Sequence, residues 1–503
     1  MRSSRRALLV VLLTCGIAVA SAADKAALRA LLRIPYLPNP INLDLTSIRA
    51  ERALERLGKL NPELLSDRKN PRLNFRAGAY LREMGDPTSR EYVRRAIDSL
   101  KESEKAKALE AEQLRLLVEA LTAAAEFDEA AARLNQGALD EPTTSLFKGE
   151  LGIFRVLEAA GVALHSPGGD RMLAISLEAL RNPEDAPVWR DLLVEAAKNL
   201  KKAVQLTPKE PRAHRSLSVA LVAHAYVQSS ILWRAERKMT SLMPEEAFAH
   251  FKEAANLAPE DVVAQWEAYE SRVSLERARG AKNAAGLPKE AVRYVATLAQ
   301  RLETTAKSEQ TDARLASEVL GVILAQGTKP ADAMPFLDAA RGEPPKPRVE
   351  LLRFRVLLAL GKTSEALPLG EEVIKNAFIP EIALEVAAAA DSEGNTELAS
   401  ATVVEGLRRY PSSIELRLAR AVILMRDPEA KELSEAGQLL ESLSSTSDEE
   451  ALVHDIKFVR AIFYGLIGET PLAHRLLDQL DKTWADRVAK ARQAMDSNPS
   501  PSV

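Results

Sequence analysis

Small and large apolar residues recur along the chain at intervals that indicate paired helices. Two sets of residues share the intervals four, three and five: Ala196, Leu200, Ala203, Pro208 and Ala247, Phe251, Ala254, Pro259. Intervals of three and four place residues on one face of a helix. A small residue lets two helices approach closely, a large residue fills the gap, and proline ends the helix one turn later. The pattern therefore predicts stacked helix pairs.

A second signal is an alanine that returns with a period close to the length of one helix pair. The intervals are 33, 33, 37 and 37 residues, at Ala333, Ala366, Ala399, Ala436 and Ala473. Two of these alanines end matching turn-to-helix segments, 361–366 and 394–399, that each begin with glycine. Periods of this length are typical of solenoids, in which each repeat packs only on its neighbours.

The first half of the chain is less regular. Neither glycine nor proline occurs in residues 88–136 or 212–243. At about 1.5 Å per residue, each stretch is longer than one repeat helix. Either these helices are extended or they are joined by turns without glycine. Loops are predicted at residues 166–170, 181–183 and 342–347, where proline, glycine and asparagine concentrate.

These motifs resemble the tetratricopeptide repeat. The family's first helix is also represented, with matching residues at Leu217, Ser218 and Leu221. Ala461, Tyr464, Gly468 and Ala473 match the family's small, tyrosine, turn-glycine and small positions at intervals of three, four and five. The resemblance covers roughly residues 190–485, with a weaker match over 47–190. It implies an all-α fold, a right-handed α-solenoid of antiparallel helix pairs with an extended concave surface. Members of this family bind peptides or partner proteins, usually without catalysis.

The resemblance also implies which side chains face the concave side. They are the second, fifth and sixth residues of the first helix of a repeat: Arg212, Arg215, Ser216; Glu381, Leu384, Glu385; and Asp455, Phe458, Val459. Members that clamp chaperone tails use lysine and asparagine there, and these residues are absent, so we expect no such clamp. We interpret Arg212 and Arg215 as ordinary solvated helix charges rather than ligand contacts.

The first residues have the pattern of a secretory signal. Basic residues precede an apolar run over residues 7–20, and small residues surround Ala22. We expect cleavage after Ala22, which makes this an exported bacterial chain that is periplasmic or extracellular. The apolar run is shorter than the roughly 20 residues that span a bilayer, and we expect no membrane span in the mature chain.

Three alternatives for this start stay open. Cys15 lies in a stretch that resembles a lipobox and would then carry a lipid anchor, although Thr14 stands where that motif has glycine or alanine. Arg5 and Arg6 are compatible with a twin-arginine signal, whose substrates are exported already folded. An uncleaved signal would act as an amino-terminal anchor.

Composition and charge exclude several classes of partner and of chemical site. The net charge is −3 and becomes −6 once three basic residues leave with the signal, which indicates no nucleic-acid partner. The single cysteine leaves too, so the mature chain has neither a disulfide nor a thiol nucleophile. Six histidines lie far apart and show no metal-ligand spacing: His165, His214, His224, His250, His454 and His474. No nucleophile elbow or phosphate-binding loop is present. We predict no catalytic, cofactor-binding or metal site.

We therefore predict a non-catalytic scaffold for a protein or peptide partner. The rival enzyme class is an (α/α) toroid acting on polysaccharides, which needs two carboxylates and aromatic platforms for sugar rings. An aromatic content of 5% does not favour such platforms. A third hypothesis is a lipid-anchored assembly factor of an envelope or secretion machine, which differs in the fate of Cys15.

The predicted organisation has seven segments. They are a signal peptide (1–22), an extended proline-containing lead-in (23–46), degenerate helical repeats (47–190), repeats with long helices (191–340), a proline-rich hinge (341–348), carboxyl-terminal repeats (349–490) and a disordered tail (491–503). Pro35, Pro38 and Pro40 are too closely spaced for one continuous helix, so the lead-in is expected to be extended. We interpret it as a tether, with a docking motif as the alternative.

Overall fold

A computed structural model describes most of the chain from residue 25 to residue 496. The described ranges are 25–35, 41–43, 45–161, 171–236, 242–281, 286–308, 312–327, 330–376, 378–426, 430–443, 450–480 and 482–496. The predicted signal peptide, the loop at 166–170 and the last seven residues of the predicted tail lie outside them.

The chain divides into two compact units, and each is described by itself. The large unit runs from Asn42 to Gly342, and the small unit combines residues up to Ile41 with those from Glu343 onward. The boundary falls inside the segment 341–348, which the sequence predicts to be a hinge. Proline and glycine in this segment disfavour helix, and the next helix starts at Pro347.

The described residues form helices joined by short turns, without a strand among them. The helices of the large unit are α2 (Leu45–Ser66), α3 (Pro71–Glu83), α4 (Ser89–Ala106), α5 (Ala111–Ala123), α6 (Phe127–Asn135), α7 (Glu141–Ala159), α8 (Arg171–Arg181), α9 (Ala186–Leu206), α10 (Pro211–Glu236), α11 (Glu245–Leu257), α12 (Val262–Ala278), α13 (Lys289–Ala306), α14 (Ala313–Gln326) and α15 (Met334–Ala340). A 3-10 turn at Pro330–Ala333 precedes α15.

The small unit begins with a short helix, α1, at residues 25–30. Its other helices are α16 (Pro347–Ala359), α17 (Thr363–Asn376), α18 (Pro380–Ser392), α19 (Thr396–Arg409), α20 (Ile414–Arg426), α21 (Ala430–Ser442), α22 (Glu450–Ile467), α23 (Thr470–Leu477) and α24 (Ala485–Asp496). A 3-10 turn at Lys482–Trp484 leads into α24.

Capping residues fix where several helices begin. The Asn70 side chain accepts hydrogen bonds from the backbone N–H groups of Arg72 and Leu73, and Pro71 takes the first position of α3. The Asp261 side chain does the same for Val263 and Ala264 at the start of α12. These side chains satisfy N–H groups that have no partner within the helix.

The predicted fold class, an all-α solenoid of antiparallel helix pairs, is confirmed. Consecutive helices pack on one another as pairs, for example α16 on α17, α18 on α19 and α20 on α21. The alanines of the period are at most 1% exposed: Ala333, Ala366, Ala399, Ala436 and Ala473. Three of them lie in the first turn of a second helix, Ala333 ends the 3-10 turn before α15, and Ala436 lies in the middle of α21. Their small side chains allow the close approach of the paired helices.

The residues Ala196 and Leu200, from the first set with intervals of four, three and five, pack α9 closely on α7. Leu200 fills the space above Gly149, where an added Cβ would collide with the leucine side chain. Ala196 lies over Gly152, and a Cβ there would stand 2.9 Å from the alanine Cβ. The two glycines of α7 therefore receive the alanine and leucine of α9, and both of these residues are buried.

The two stretches without glycine or proline have different explanations. Residues 88–136 contain three separate helices, and the turn between α5 and α6 has Ala125 in the left-handed region, with φ of 61°. Glycine takes that conformation elsewhere, as at Gly361 with φ of 71°. Residues 211–236 instead form one long helix, α10.

Helix α10 is also long and apolar enough to cross a membrane by length and composition. Half of its apolar window is buried within the protein. It packs against α8, α9 and α11, and Ala213, Leu217 and Val227 on it are fully buried. Those contacts are typical of a core helix in a folded repeat unit.

Two predicted segments differ from the structure at their edges. The lead-in 23–46 contains helix α1 and the first residues of α2, because Pro35 follows α1 instead of interrupting it. The tail 491–503 begins within α24, where Ala491 is fully buried and Met495 is 5% exposed. These two side chains fix the last helix against the small unit.

Candidate functional site

The concave positions predicted in the large unit take part in ion pairs between helices. Arg212, at the start of α10, donates from Nε and Nη2 to the two carboxylate oxygens of Glu150 on α7, at 2.9 and 2.6 Å. Its Nη1 donates to Glu119 Oε1 on α5 at 2.7 Å. One guanidinium therefore joins three helices. Ser216 adds a hydroxyl that donates to Glu150 Oε1 at 2.8 Å.

Arg215 makes a second two-pronged pair in the same region. Its Nε and Nη2 donate to the carboxylate of Glu267 on α12 at 2.7 and 2.5 Å. Glu267 is also 3.6 Å from Arg49 Nη2 on α2. We call these residues the Arg–Glu network: Arg49, Glu119, Glu150, Arg212, Arg215, Ser216 and Glu267.

Neighbouring carboxylates raise the pKa of both arginines of α10. Burial by itself lowers the pKa of Arg212, but the hydrogen bonds and charge of Glu150 outweigh it, so the net pKa is raised. The charge of Glu267 raises the pKa of Arg215 against a smaller effect of burial. The expectation of ordinary solvated charges is therefore incomplete: the side chains of Arg212 and Arg215 are 39% and 42% exposed, and both are also paired. Each donates to carboxylates on neighbouring helices, a use that spacing within α10 does not reveal.

The predicted concave positions of α18 are mostly buried. Glu385 is fully buried, and Arg355 on α16 donates to both of its oxygens at 2.8 and 3.0 Å. Leu384 is 8% exposed and belongs to the apolar core of the small unit. Glu381, at the start of the helix, is exposed.

The predicted positions on α22 are covered by the last helix of the chain. Phe458 is fully buried, with the Trp484 ring centred 5.4 Å away and the Arg487 guanidinium 4.2 Å from the ring centre. Val459 is 2% exposed. Burial raises the pKa of Asp455, while Arg487, at 4.0 Å, opposes the shift. Contacts within the chain therefore occupy most of the nine predicted concave positions.

A groove in the small unit holds part of the lead-in, which the sequence predicts to be a tether. We call it the terminal groove, formed by the carboxyl ends of three first helices: Asp391 of α18, Met425 and Arg426 of α20, and Gly465 of α22. Residues 25–34 lie in it. Leu28, Leu32 and Ile34 are at most 5% exposed there. The leucines, four residues apart just before Pro35, were the available signal of an amphipathic turn.

Backbone and side-chain hydrogen bonds hold this segment. Arg29 Nε donates to the Met425 carbonyl at 3.2 Å, and Arg426 Nη2 donates to the Leu32 carbonyl at 2.8 Å. The Ile34 N–H donates to Asp391 Oδ2 at 3.4 Å. Asp391 and Arg426 also pair with each other, with Nη2 and Oδ2 2.9 Å apart. The groove therefore presents an ion pair to a segment of main chain.

Two histidines meet between α10 and α11. His214 Nδ1 and His250 Nδ1 are 2.9 Å apart, and His214 Nε2 is 3.0 Å from the Pro208 carbonyl. A carbonyl only accepts, so His214 Nε2 donates to it, and one of the two Nδ1 atoms donates to the other. Burial lowers the pKa of His250, assisted by His214 and Lys201 and opposed by Glu246 and Glu253. Burial therefore favours the uncharged form of His250.

We expect the stability of the protein to fall as the pH drops below about 6.5, the usual pKa of histidine. His250 and His224 both have lowered pKa values, because burial disfavours their charged forms. The unfolded chain then binds more protons than the folded chain, so acid favours unfolding. Urea midpoints measured from pH 7.5 to 5.5 should fall, and should fall less for the variant H224Q/H250Q. Equal slopes for the two proteins would contradict the assignment.

The chain was compared with protein families, curated proteins and solved structures. No protein-family model matches the sequence, and a search of curated proteins finds no relative. Among solved structures, yeast Tom70 aligns over 90% of this chain and 93% of its own, with 14% identity and a TM-score of 0.37. The P58(IPK) TPR domain aligns over 87% and 98%, with 12% identity and a TM-score of 0.25. The APC/C hetero-tetramer Cut9-Hcn1 aligns over 90% and 90%, with 12% identity and a TM-score of 0.31.

These TM-scores are too low to carry an argument, so the helix-pair fold rests on the helices described above. Among the residues that the structure describes, no group of three or more His, Cys, Asp or Glu side chains could hold a metal ion.

Proposed function

We propose that the protein is a non-catalytic scaffold that binds a protein or peptide partner in the cell envelope or outside the cell. The observation that carries this proposal is the terminal groove with residues 25–34 in it. A short helical turn is bound there by buried apolar side chains and by hydrogen bonds to its own backbone. Recognition of a helix in an apolar groove is a common mode of peptide binding.

The cellular address in this proposal rests on the first 22 residues. Their basic start, apolar run and small residues before Ala23 support export by a signal peptide. Mass analysis of the mature amino terminus tests it. A free Ala23 supports an exported protein without an anchor. A lipidated Cys15 would instead favour the lipid-anchored assembly factor, and an intact Met1 would contradict cleavage.

Site-specific cross-linking tests the scaffold itself. A photoreactive amino acid in place of Glu393, which is exposed next to Asp391, should capture one discrete partner in native envelope fractions. The matched control places the same group at Val404, which is 48% exposed on the second helix α19. Capture from Glu393 and not from Val404 supports partner binding at the groove. No discrete product from either position, together with turnover of a polysaccharide by the purified chain, would favour the toroid enzyme.

A further inference from the structure

We propose that the terminal groove binds a short amphipathic helical segment of a partner protein, and that residues 25–34 occupy this site as a displaceable internal ligand. The proposal rests on the scaffold function and adds the chemistry of the partner and the way the chain controls access. The partner segment carries large aliphatic residues at the spacing of Leu28, Leu32 and Ile34, with an arginine after the first of them.

The apolar contacts define the side chains that the groove accepts. Leu28 lies against Gly465 of α22, where a Cβ would stand 3.2 Å from the leucine Cδ1. Glycine at this position leaves space that the leucine shares with Met495 of α24, whose Cε would stand 2.8 Å from the same Cβ. Leu32 is fully buried and Ile34 is 5% exposed, within the core that contains Met425 and Met495. Burial of such side chains is the main driving force for binding.

The polar contacts define the main-chain geometry. The groove donates from Arg426 to a carbonyl and accepts at Asp391 from an N–H, and every peptide segment offers both groups. Specificity therefore comes from the side chains. Arg29 adds to it by donating to the Met425 carbonyl at the end of α20. The carboxyl end of a helix carries a partial negative charge, which favours a basic residue there.

One contact of the groove does not involve the segment. Asp391 and Arg426 lie 35 residues apart on α18 and α20, and their ion pair joins the two helices directly. The segment, in contrast, depends on the groove, because a helix as short as α1 is marginal in water by itself. Residues 25–27, Ala30 and Arg33 are exposed, so only one face of the segment is held. These features are typical of a bound peptide.

Tethering sets the strength of the competition. The segment and its site belong to one chain, so the segment binds without the cost of bringing two molecules together. A free peptide of the same sequence therefore competes poorly with it, even where its intrinsic affinity is adequate. Weakening the internal segment should raise the affinity for a peptide added in solution.

Fluorescence anisotropy with the full chain and a labelled peptide of residues 23–35 tests this proposal. The variant L28D/L32D releases the internal segment and should bind the peptide at least about tenfold more tightly than the wild type. The milder variant R29A should bind it about threefold more tightly, since one charge-assisted hydrogen bond is lost. The matched control A27D, which changes an exposed residue of α1, should behave like the wild type. Adding D391N to L28D/L32D should reverse the gain in peptide affinity, because Asp391 accepts from the segment and pairs with Arg426.

Three results would overturn the proposal. One is equal peptide affinity for the wild type and for both releasing variants. Another is loss of helical circular dichroism in L28D/L32D, which would make the segment an integral part of the small unit. The third is peptide binding that D391N leaves unchanged. The scaffold function fails separately, because it requires the position-dependent cross-link at Glu393, which each of these results leaves unaffected.

Discussion

Replacing Glu385 by alanine is expected to lower the free energy of unfolding of the small unit by about 3 kcal/mol. The side chain of Glu385 is fully buried, and that of Arg355 is 15% exposed. Two hydrogen bonds join them, so removal of the carboxylate leaves a guanidinium nearly without solvent and without its partner. The expected cost is therefore the loss of compensation for a buried charge. Urea denaturation followed by circular dichroism at 222 nm measures it.

Two control variants separate this effect from the loss of any salt bridge. Glu372 pairs with Lys375 within α17 at 3.6 Å, and both side chains are more than half exposed. The variant E372A should therefore change the unfolding free energy by less than about 0.5 kcal/mol. The double variant R355M/E385M should recover much of the lost unfolding free energy, because apolar residues of similar size can replace a buried ion pair without leaving an unpaired charge. A cost of E385A equal to that of E372A would contradict the assignment.

The second large effect is expected at Arg212, where replacement by methionine should cost about 2 kcal/mol. The variant leaves the carboxylates of Glu150 and Glu119 facing each other without the guanidinium between them. These side chains are 12% and 21% exposed, while Arg212 itself is 39% exposed. Solvent therefore screens part of the interaction, and the expected cost is smaller than at Glu385.

The variant R212K tests the geometry of this site. Lysine keeps the charge but lacks the planar fork that donates to both oxygens of Glu150 and to Glu119, so its cost should be intermediate. The control R95A breaks a pair within α4, 3.5 Å from Glu91, between side chains more than half exposed. It should cost less than about 0.5 kcal/mol. If R212M costs no more than R95A, the Arg–Glu network does not stabilise the large unit.

The helical ladder could be predicted from the sequence because close helix packing imposes it locally. Each repeat needs a small residue where its two helices approach, and so Ala366, Ala399 and Ala473 reveal the pairing without knowledge of distant contacts. The all-α class and the boundaries of the second helices follow from the same constraint. The turn between α5 and α6 could not be predicted in this way, because Ala125 takes a left-handed conformation that glycine usually adopts.

The contacts of the candidate site could not be predicted in the same way. Arg212 finds Glu150 and Glu119 at separations of 62 and 93 residues, and nothing local distinguishes these two among 71 acidic residues. Likewise, Arg29 meets Met425 across 396 residues. The stacking of repeats decides such pairs. Local pattern does show that Leu28 and Leu32 share a helical face, but not what covers it.

The internal use of the predicted concave positions changes where a partner is expected to bind. The Arg–Glu network uses Arg212, Arg215 and Ser216, and Arg355 holds Glu385. A partner that bound these groups would first have to break ion pairs between helices. The terminal groove requires only the release of a short segment that is held on one face. It is therefore the site from which partner binding is expected.

Hydrogen–deuterium exchange of the free full-length chain tests this account most directly. The backbone N–H groups of Leu31 and Leu32 donate within the segment at 3.1 Å, and that of Ile34 donates to Asp391. In the wild type, these three amides should exchange much more slowly than in an unstructured peptide of the same sequence. In L28D/L32D they should exchange at the peptide's rate, while α18 and α20 stay protected. Exchange at the peptide's rate in the wild type would contradict the account, because the groove would then be empty.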